Sequence, residues 1–222
     1  MPEQGVLPFE GGARFRLETF CFPTQRPSVR ELIESGDSAV YFWGASGCGC
    51  THLLRGSQWE YLDLGRDADR AGLPAMPFAP LGLDNLDSLR GDIEIQQHLA
   101  ERVDIHRQRG VGLLLAGHAP PMQVLDLPDA ATRLAAMTVI RLQHIDDAER
   151  AEALRARARF YQMTLSEEVI GYLLARMARD NRSLMDGFDR LCRISLAERA
   201  PLSLHLVRRC WEAIQGQSSH QR

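Results

Sequence analysis

The chain has 222 residues, of which 45% are hydrophobic and 25% charged, and its formal net charge is −3. These values are typical of a soluble globular protein with one sizeable core, or with one domain and a small satellite, and they argue against electrostatic binding of nucleic acid by the whole chain. No apolar run is long enough to span a membrane and no signal peptide is recognisable, so we expect a cytoplasmic protein.

The N-terminal tail carries two large apolar side chains among polar residues. Leu7 and Phe9 flank Pro8, and Gln4 and Val6 precede them. Such a segment can dock in extended form on a partner, with the two apolar side chains in a pocket and the glutamine amide hydrogen-bonded. The tail can also pack on its own domain, and these residues alone favour that simpler interpretation.

A glycine-rich loop follows the first predicted strand, whose residues 39–43 are apolar and aromatic. Gly44, Gly49 and Thr51 have the spacing of the phosphate-binding motif G-x-x-x-x-G-K-[ST]. Glycines let backbone N–H groups turn toward an anion, and the N-terminus of the next helix adds partial positive charge. The lysine position holds Cys50, a neutral thiol, and Gly56 cuts the helix short. Two interpretations stay open: a weakened phosphate-binding loop and an ordinary strand-to-helix turn.

The five cysteines are odd in number and scattered along the chain, at positions 21, 48, 50, 192 and 210. This pattern indicates reduced thiols in a cytoplasm and not a disulfide framework. Cys48 and Cys50 could form a metal-binding or redox pair. No other pair of Cys or His residues stands at ligand spacing to complete a metal site, so we expect them to be small loop residues.

After a second predicted strand at 59–64, the next apolar stretch ends in a carboxylate, Asp84. In phosphate-binding-loop folds an Asp at this place holds Mg²⁺ through water. The next residue in hydrolytic members is a second acid that positions the attacking water, whereas here it is Asn85, an amide that cannot act as a general base. The alternative role for Asp84 is a cap at the turn after the strand.

Further elements complete the predicted α/β domain. His118 follows a continuous apolar run at the end of a buried strand, where α/β sheets place ligands, although it could merely cap the loop. Residues 66–80 show no clear hydrophobic periodicity, so no helix or strand is predicted there. We expect a helix at 92–109, the buried strand at 111–116, a short helix at 127–134 and a last strand at 137–142.

From Asp146 onward every segment has a helical pattern. The predicted helices are 146–161, 166–179, 183–199 and 202–214. Four arginines of the first helix are expected to form a solvated face: Arg150, Arg155, Arg157 and Arg159. The sequence therefore predicts a tail at 1–13, a parallel α/β domain at 14–143 and a small all-helical domain at 144–222.

This order of motifs resembles the AAA+ ATPases, in which a phosphate-binding-loop sheet domain is followed by a helical lid. More narrowly it resembles the DnaA family, and within it the Hda group of regulatory inactivators. The residues that carry the resemblance are 41–43 with 51–54, 83–85, 116–121, 127–129 with Arg133 and Leu134, and 181–184. A DnaA-type DNA-binding domain does not follow the lid, so an initiator is not expected.

The resemblance implies a nucleotide site for ADP, with Thr51 and Asp84 toward Mg²⁺ and Arg182 reaching over from the lid. The residues expected around the nucleotide are Gly44, Gly47, Cys48, Gly49, Cys50, Thr51, His52, Asp84 and Arg182. The chain departs from the family at Cys50, at the shortened helix and at His118-Ala119, where Asp-Arg is usual. These departures weaken the expected site, and we do not expect ATPase activity from the chain itself.

The resemblance also implies two partners. Arg133 matches the arginine finger, which acts in trans on a nucleotide held by a neighbouring DnaA subunit, and the tail from Gln4 to Phe9 resembles a peptide that binds the β sliding clamp of DNA polymerase III. The expected function is negative control of replication initiation, with DNA contacted only indirectly and a homodimer left open. A surface ion pair is the alternative for Arg133. Alternatives for the chain are a binding module without nucleotide and a weak free-standing ATPase.

Overall fold

The computed structural model describes residues 15–20, 28–176 and 181–210. The helices are α1 (Ser28–Glu34), α2 (Cys50–Gly56), α3 (Asp67–Gly72), α4 (Ile93–Arg109), α5 (Pro121–Val124), α6 (Pro128–Ala135), α7 (Asp147–Phe160), α8 (Glu167–Arg176), α9 (Asn181–Glu198) and α10 (204–210). The strands are β1 (Ala39–Trp43), β2 (Glu60–Asp63), β3 (Leu81–Asp84), β4 (Leu113–Gly117) and β5 (Thr138–Arg141). Within these described ranges, no helix is both long and apolar enough to cross a membrane.

The chain divides into two compact units, one of which spans Phe22–Asp146 and contains all five strands. They form one parallel sheet in the order β2-β3-β4-β1-β5, with helices between successive strands. This is the predicted α/β architecture. Parallel strands bring their carboxyl ends to one edge of the sheet, which places the ends of β1, β3 and β4 side by side.

The sheet core explains why its central strands could be read from the sequence. Every residue of β3 and β4 is buried, and so are the three central residues of β1. A strand covered on both faces needs a continuous apolar run because neither face meets water. Leucines supply most of this core, which helices α4 and α6 cover.

Helix α3 was missed because none of its residues is buried, so it has no apolar period. Its stability comes from its ends. Asp67 and Asp69 lie in the first turn, where carboxylates interact well with the helix dipole. Arg70 pairs with Asp67 and also donates to the carbonyl of Ser88. A helix held this way has a charge pattern but no hydrophobic signal.

The second unit contains helices α7 to α10 and the described segment 15–20. A short 3₁₀ helix, Leu17–Thr19, packs against α7, with Leu17 and Thr19 buried. The predicted α/β domain, 14–143, included this segment. Its partner is instead more than a hundred residues away along the chain, and sequence order gives no signal of that contact.

One of the four arginines expected on a solvated face is buried. The side chain of Arg157 is 2% exposed and makes two hydrogen bonds to Asp189 of α9, Nε to Oδ1 at 2.5 Å and Nη2 to Oδ2 at 2.6 Å. Tyr161 donates to the same Oδ1 at 3.3 Å. The prediction was wrong for Arg157 because its charge partner lies on another helix. Arg155 does pair with exposed Glu152 and Glu167.

Candidate functional site

The glycine-rich loop has the backbone of a phosphate-binding turn. After β1, the Gly44 N–H donates to the Gly117 carbonyl at 3.3 Å, and the Cys48 N–H donates to the Ala45 carbonyl at 3.1 Å. Gly47 and Gly49 have φ of 84° and 105°, values that favour glycine. Helix α2 then begins at Cys50. The predicted strand, turn and helix are therefore present in the predicted places.

Gly44 is required by packing and not by a ligand. A Cβ atom there would lie 2.3 Å from the carbonyl oxygen of Leu142 and 2.8 Å from the Cys48 sulfur. The first glycine of the motif therefore lets the loop approach the residue that follows β5. Its presence alone is no argument for a bound phosphate.

The lysine position of the motif carries no positive charge. Cys50 Sγ lies 3.5 Å from Cys48 Sγ, so the two thiols contact each other across Gly49. The hydrogen bond from Cys50, with a smaller contribution from His118, lowers the pKa of Cys48 to about 7. The same hydrogen bond, together with burial and the Asp84 charge, raises the pKa of Cys50. A neutral thiol close to a carboxylate replaces the ammonium that a phosphate would need.

Asp84 ends β3 as predicted, but protein donors already engage both of its oxygens. Its carboxylate is 4% exposed, Oδ2 accepts from the Tyr61 hydroxyl at 2.9 Å, and Oδ1 accepts from the Asn85 N–H at 2.9 Å. Burial and the Asp84 charge raise the pKa of Tyr61, so this hydroxyl remains a donor. These are the contacts of the alternative role, a cap at the strand end, and a role of Asp84 in holding Mg²⁺ through water stays a prediction.

Asn85 points away from the loop. Its φ of 59° is left-handed, a conformation that asparagine tolerates well, and its Nδ2 donates to Asp63 Oδ1 at 2.7 Å. A carboxylate at this position would set a like charge against Asp63. The amide thus serves the turn between neighbouring strands, and no side chain at this position aims at an attacking water.

His118 lies at the end of β4 as predicted and pairs with Asp87. The Asp87 Oδ2 accepts from the His118 N–H at 2.7 Å and lies 3.0 Å from Nδ1, while the imidazole is 52% exposed. Tyr41 of β1 donates to the Ala119 carbonyl at 2.6 Å. The loop after β4 is therefore held by its own contacts to β1 and to the residues after β3.

These residues fit a magnesium–nucleotide complex in the shape of the backbone but not in charge. The backbone turn has the right shape, and Thr51 and His52 lie in the first turn of α2, half-buried. However, the cation of the motif is absent, and both Asp84 oxygens already accept hydrogen bonds. Such sites act mainly by electrostatic stabilisation of the phosphates, so the charges of their side chains matter more than the shape of the backbone turn.

Arg133 lies on α6 and is 29% exposed. It forms ion pairs with Asp104 of α4 and with Asp129, the latter at 2.9 Å, and donates to the Ala100 carbonyl at 3.2 Å. The isolated chain thus shows the surface ion pair that was the alternative role for this residue. A role in trans remains a prediction.

Several predicted site residues lie outside the described part of the structure. The tail residues Gln4, Val6, Leu7, Pro8 and Phe9 do, and so does the side chain of Arg182, the second residue of α9. The sequence analysis had not singled out four side chains that surround the predicted site residues: Tyr61, Asp87, Asp104 and Asp129. Asp129 alone had a local signal, since it stands four residues before Arg133 on one helix.

Comparison with known proteins gives one family match in the helical unit and several fold matches over most of the chain. Residues 147–210 match the family model for the lid domain of Hda. The fold is similar to domain III of the replication initiation protein DnaA from Thermotoga maritima, with a TM-score of 0.67 and 15% identity over 88% of this chain and 95% of that chain. It is also similar to AMPPCP-bound DnaA from Aquifex aeolicus, with a TM-score of 0.62 and 17% identity over 83% and 66% of the two chains.

A third similar structure is the RuvB Holliday junction branch migration motor of Thermotoga maritima, with a TM-score of 0.60 and 15% identity over 90% and 72% of the two chains. At such identities these likenesses establish the AAA+ fold and no more. The lid match is the feature that distinguishes among proteins of this fold.

Proposed function

We propose that this chain, an Hda-like protein with a DnaA-type AAA+ fold, is a negative regulator of replication initiation that promotes hydrolysis of ATP bound to DnaA. The observation that carries the proposal is the match of residues 147–210 to the Hda lid, joined to a sheet domain of DnaA type. The charges around its own loop support an activator of a partner's hydrolysis rather than an ATPase.

Arg133 supplies the chemistry in this proposal. Its guanidinium approaches the nucleotide held by a neighbouring DnaA subunit and stabilises the charge that develops during phosphoryl transfer. An arginine delivered in this way is worth about 10³- to 10⁵-fold in rate. The nucleotide and its metal belong to DnaA, so the altered loop of this chain takes no part in the reaction.

The ion pairs of Arg133 do not oppose this role. Surface ion pairs, such as those of half-buried Arg133 with Asp104 and Asp129, contribute about 0–1 kcal/mol each. A 10³-fold rate gain corresponds to about 4 kcal/mol of transition-state stabilisation. Release of the arginine therefore costs less than the finger gains, and the two carboxylates hold the guanidinium in place until a partner arrives.

The tail provides the second contact in the proposal. Residues from Gln4 to Phe9 bind the β sliding clamp as an extended peptide, which places the sheet domain close to DnaA on replicated DNA. Once the tail is bound to the clamp, the sheet domain is present at a high local concentration near DnaA, so a weak contact with DnaA is sufficient. The support for this part is the sequence pattern, since the tail lies outside the described residues.

The test is hydrolysis of DnaA-bound ATP on DNA loaded with the clamp, with and without this protein. The proposal expects faster conversion to ADP that needs the protein, the clamp and DNA together. The protein alone, incubated with ATP, is expected to show no turnover. If it does hydrolyse ATP and Asp84→Ala removes that turnover, the free-standing ATPase is the better hypothesis.

A second candidate function is a binding module that uses neither a nucleotide nor DnaA. The neutral thiols in the loop and the engaged Asp84 favour it, because nothing in them requires a nucleotide. The two candidates differ in one result. Clamp binding without any stimulation of DnaA would select the binding module.

The double variant Leu7→Ala/Phe9→Ala is expected to weaken clamp binding at least tenfold. Burial of each large apolar side chain contributes about 1.5–3 kcal/mol to binding. Removal of both side chains should therefore raise the dissociation constant more than tenfold. Binding is measured by surface plasmon resonance with the intact chain, and Glu10→Gln serves as a control outside the motif. An affinity within twofold of the unmodified protein would assign the tail another partner.

A further inference from the structure

The loop brings two thiols into contact where the phosphate-binding motif has its cation. Cys48 and Cys50 flank Gly49, whose φ of 105° lets the chain turn so that both side chains lie on the same side. Their sulfur atoms are 3.5 Å apart. A disulfide bond needs about 2.05 Å, so a shift of roughly 1.5 Å would join them. The sequence analysis had preferred to regard both residues as small loop residues.

We propose that Cys48 and Cys50 form a reversible dithiol–disulfide site in the glycine-rich loop. The oxidant is of the peroxide class, and the reductant is a dithiol. The site does not depend on the proposed function, because its two states differ in covalent structure whether or not the chain acts on DnaA. It converts the neutral thiol that replaces the motif's lysine into a cross-link across the turn.

The chemistry balances with one peroxide molecule. The Cys48 thiolate attacks one peroxide oxygen, the O–O bond breaks, and sulfenic acid and hydroxide form. The Cys50 sulfur then attacks the sulfur of that sulfenic acid and displaces its oxygen, which leaves as water with the Cys50 proton. Two thiols and one hydrogen peroxide thus give one disulfide and two waters. A dithiol reductant reverses the change by exchange through a mixed disulfide.

The two sulfurs are suited to different steps. Cys48 receives the hydrogen bond from Cys50 and its pKa is lowered to about 7, so it is the attacking sulfur. Cys50 supplies the resolving sulfur, because its Sγ lies 3.5 Å from that of Cys48. Cys192, by contrast, is buried in the helical unit, where burial and Asp189 raise its pKa to about 12. Thiols in such surroundings are inert, which makes the lid cysteines internal controls.

Peptide mapping of the intact chain tests the proposal. The protein is treated with hydrogen peroxide, quenched, denatured, alkylated with iodoacetamide and digested with trypsin, which releases both loop cysteines in one peptide, residues 31–55. After oxidation we expect this peptide to carry no alkyl group and to be two hydrogens lighter than its reduced, unalkylated form, and after dithiothreitol we expect both alkyl groups again. The peptide 210–222, which contains Cys210, is expected to carry one alkyl group throughout.

Phenylarsine oxide probes the same geometry without oxidation. This trivalent arsenical binds two adjacent thiols and releases one water, so we expect one equivalent bound to the reduced protein. Binding should be lost in Cys48→Ser and in Cys50→Ser and kept in Cys21→Ser. Arsenical binding that survives Cys50→Ser, or a 31–55 peptide that keeps two alkyl groups after peroxide, would overturn the proposal.

Discussion

Arg133→Ala is expected to abolish the stimulated hydrolysis of DnaA-bound ATP, with a fall of about 10³-fold or more in the stimulated part of the rate. The physical reason is that alanine removes the cation aimed at the developing phosphoryl charge. The fold should persist, because the lost ion pairs with Asp104 and Asp129 lie at the surface and contribute about 1 kcal/mol or less each. The measurement is the fraction of ADP on DnaA over time, on clamp-loaded DNA, together with clamp affinity, which should not change.

Two further variants separate a finger from a structural arginine. Arg133→Lys keeps the charge but loses the planar fork, so we expect it to recover only part of the rate. The double variant Asp104→Asn/Asp129→Asn removes both carboxylate partners and leaves the guanidinium, so stimulation should stay within about fivefold of the unmodified protein, which corresponds to about 1 kcal/mol. The exposed Arg107 on α4 provides a matched control as Arg107→Ala.

If the double carboxylate variant loses stimulation as completely as Arg133→Ala, the arginine acts by holding α4 and α6 together and not in trans. Normal stimulation by Arg133→Ala would remove the finger assignment altogether. Either result would leave the dithiol proposal intact, because its readouts are masses and arsenical stoichiometry. The two proposals can therefore fail separately.

The sheet domain could be predicted because its signals are local. The buried strands are continuous apolar runs, Gly49 marks the turn before α2, and Asp92 caps α4 by accepting the Ile95 N–H. Helix α3 and the place of residues 15–20 could not be predicted. The first has no buried face, and the second depends on a contact with α7 that is remote along the chain.

The candidate site was predicted in its positions but not in its contacts. Asp84 and His118 stand at the strand ends that the motif order implied. Their partners depend on three-dimensional neighbours: Tyr61 reaches Asp84 because β2 and β3 pair in parallel, with Asp63 beside Asp84. The contact between Cys48 and Cys50 depends on one left-handed glycine. The sequence shows which residue types stand at the site. The contacts in the folded chain determine which of these side chains are charged and available to a ligand.

The helical unit carries the second large expected effect. Asp189→Ala is expected to destabilise this unit by about 3–5 kcal/mol, because Arg157 loses a carboxylate that it contacts with two hydrogen bonds in a buried environment. Tyr161 loses an acceptor as well, and Cys192 and Tyr161 lose the charge that raises their pKa values. The measurement is urea unfolding of the intact chain followed by far-ultraviolet circular dichroism.

Matched variants show whether burial is the cause. Glu167→Ala removes an exposed carboxylate that contacts Arg155 through both of its oxygens, and it is expected to cost much less than Asp189→Ala because water screens this pair. Arg157→Met/Asp189→Leu removes both buried charges and fills similar volume, so its stability should return close to that of the unmodified protein. If Asp189→Ala costs no more than Glu167→Ala, Arg157 is solvated in solution, as the sequence pattern of α7 had indicated. A large cost for the single variant with recovery in the double variant would instead establish that desolvated charge, and not packing, sets the stability of the lid.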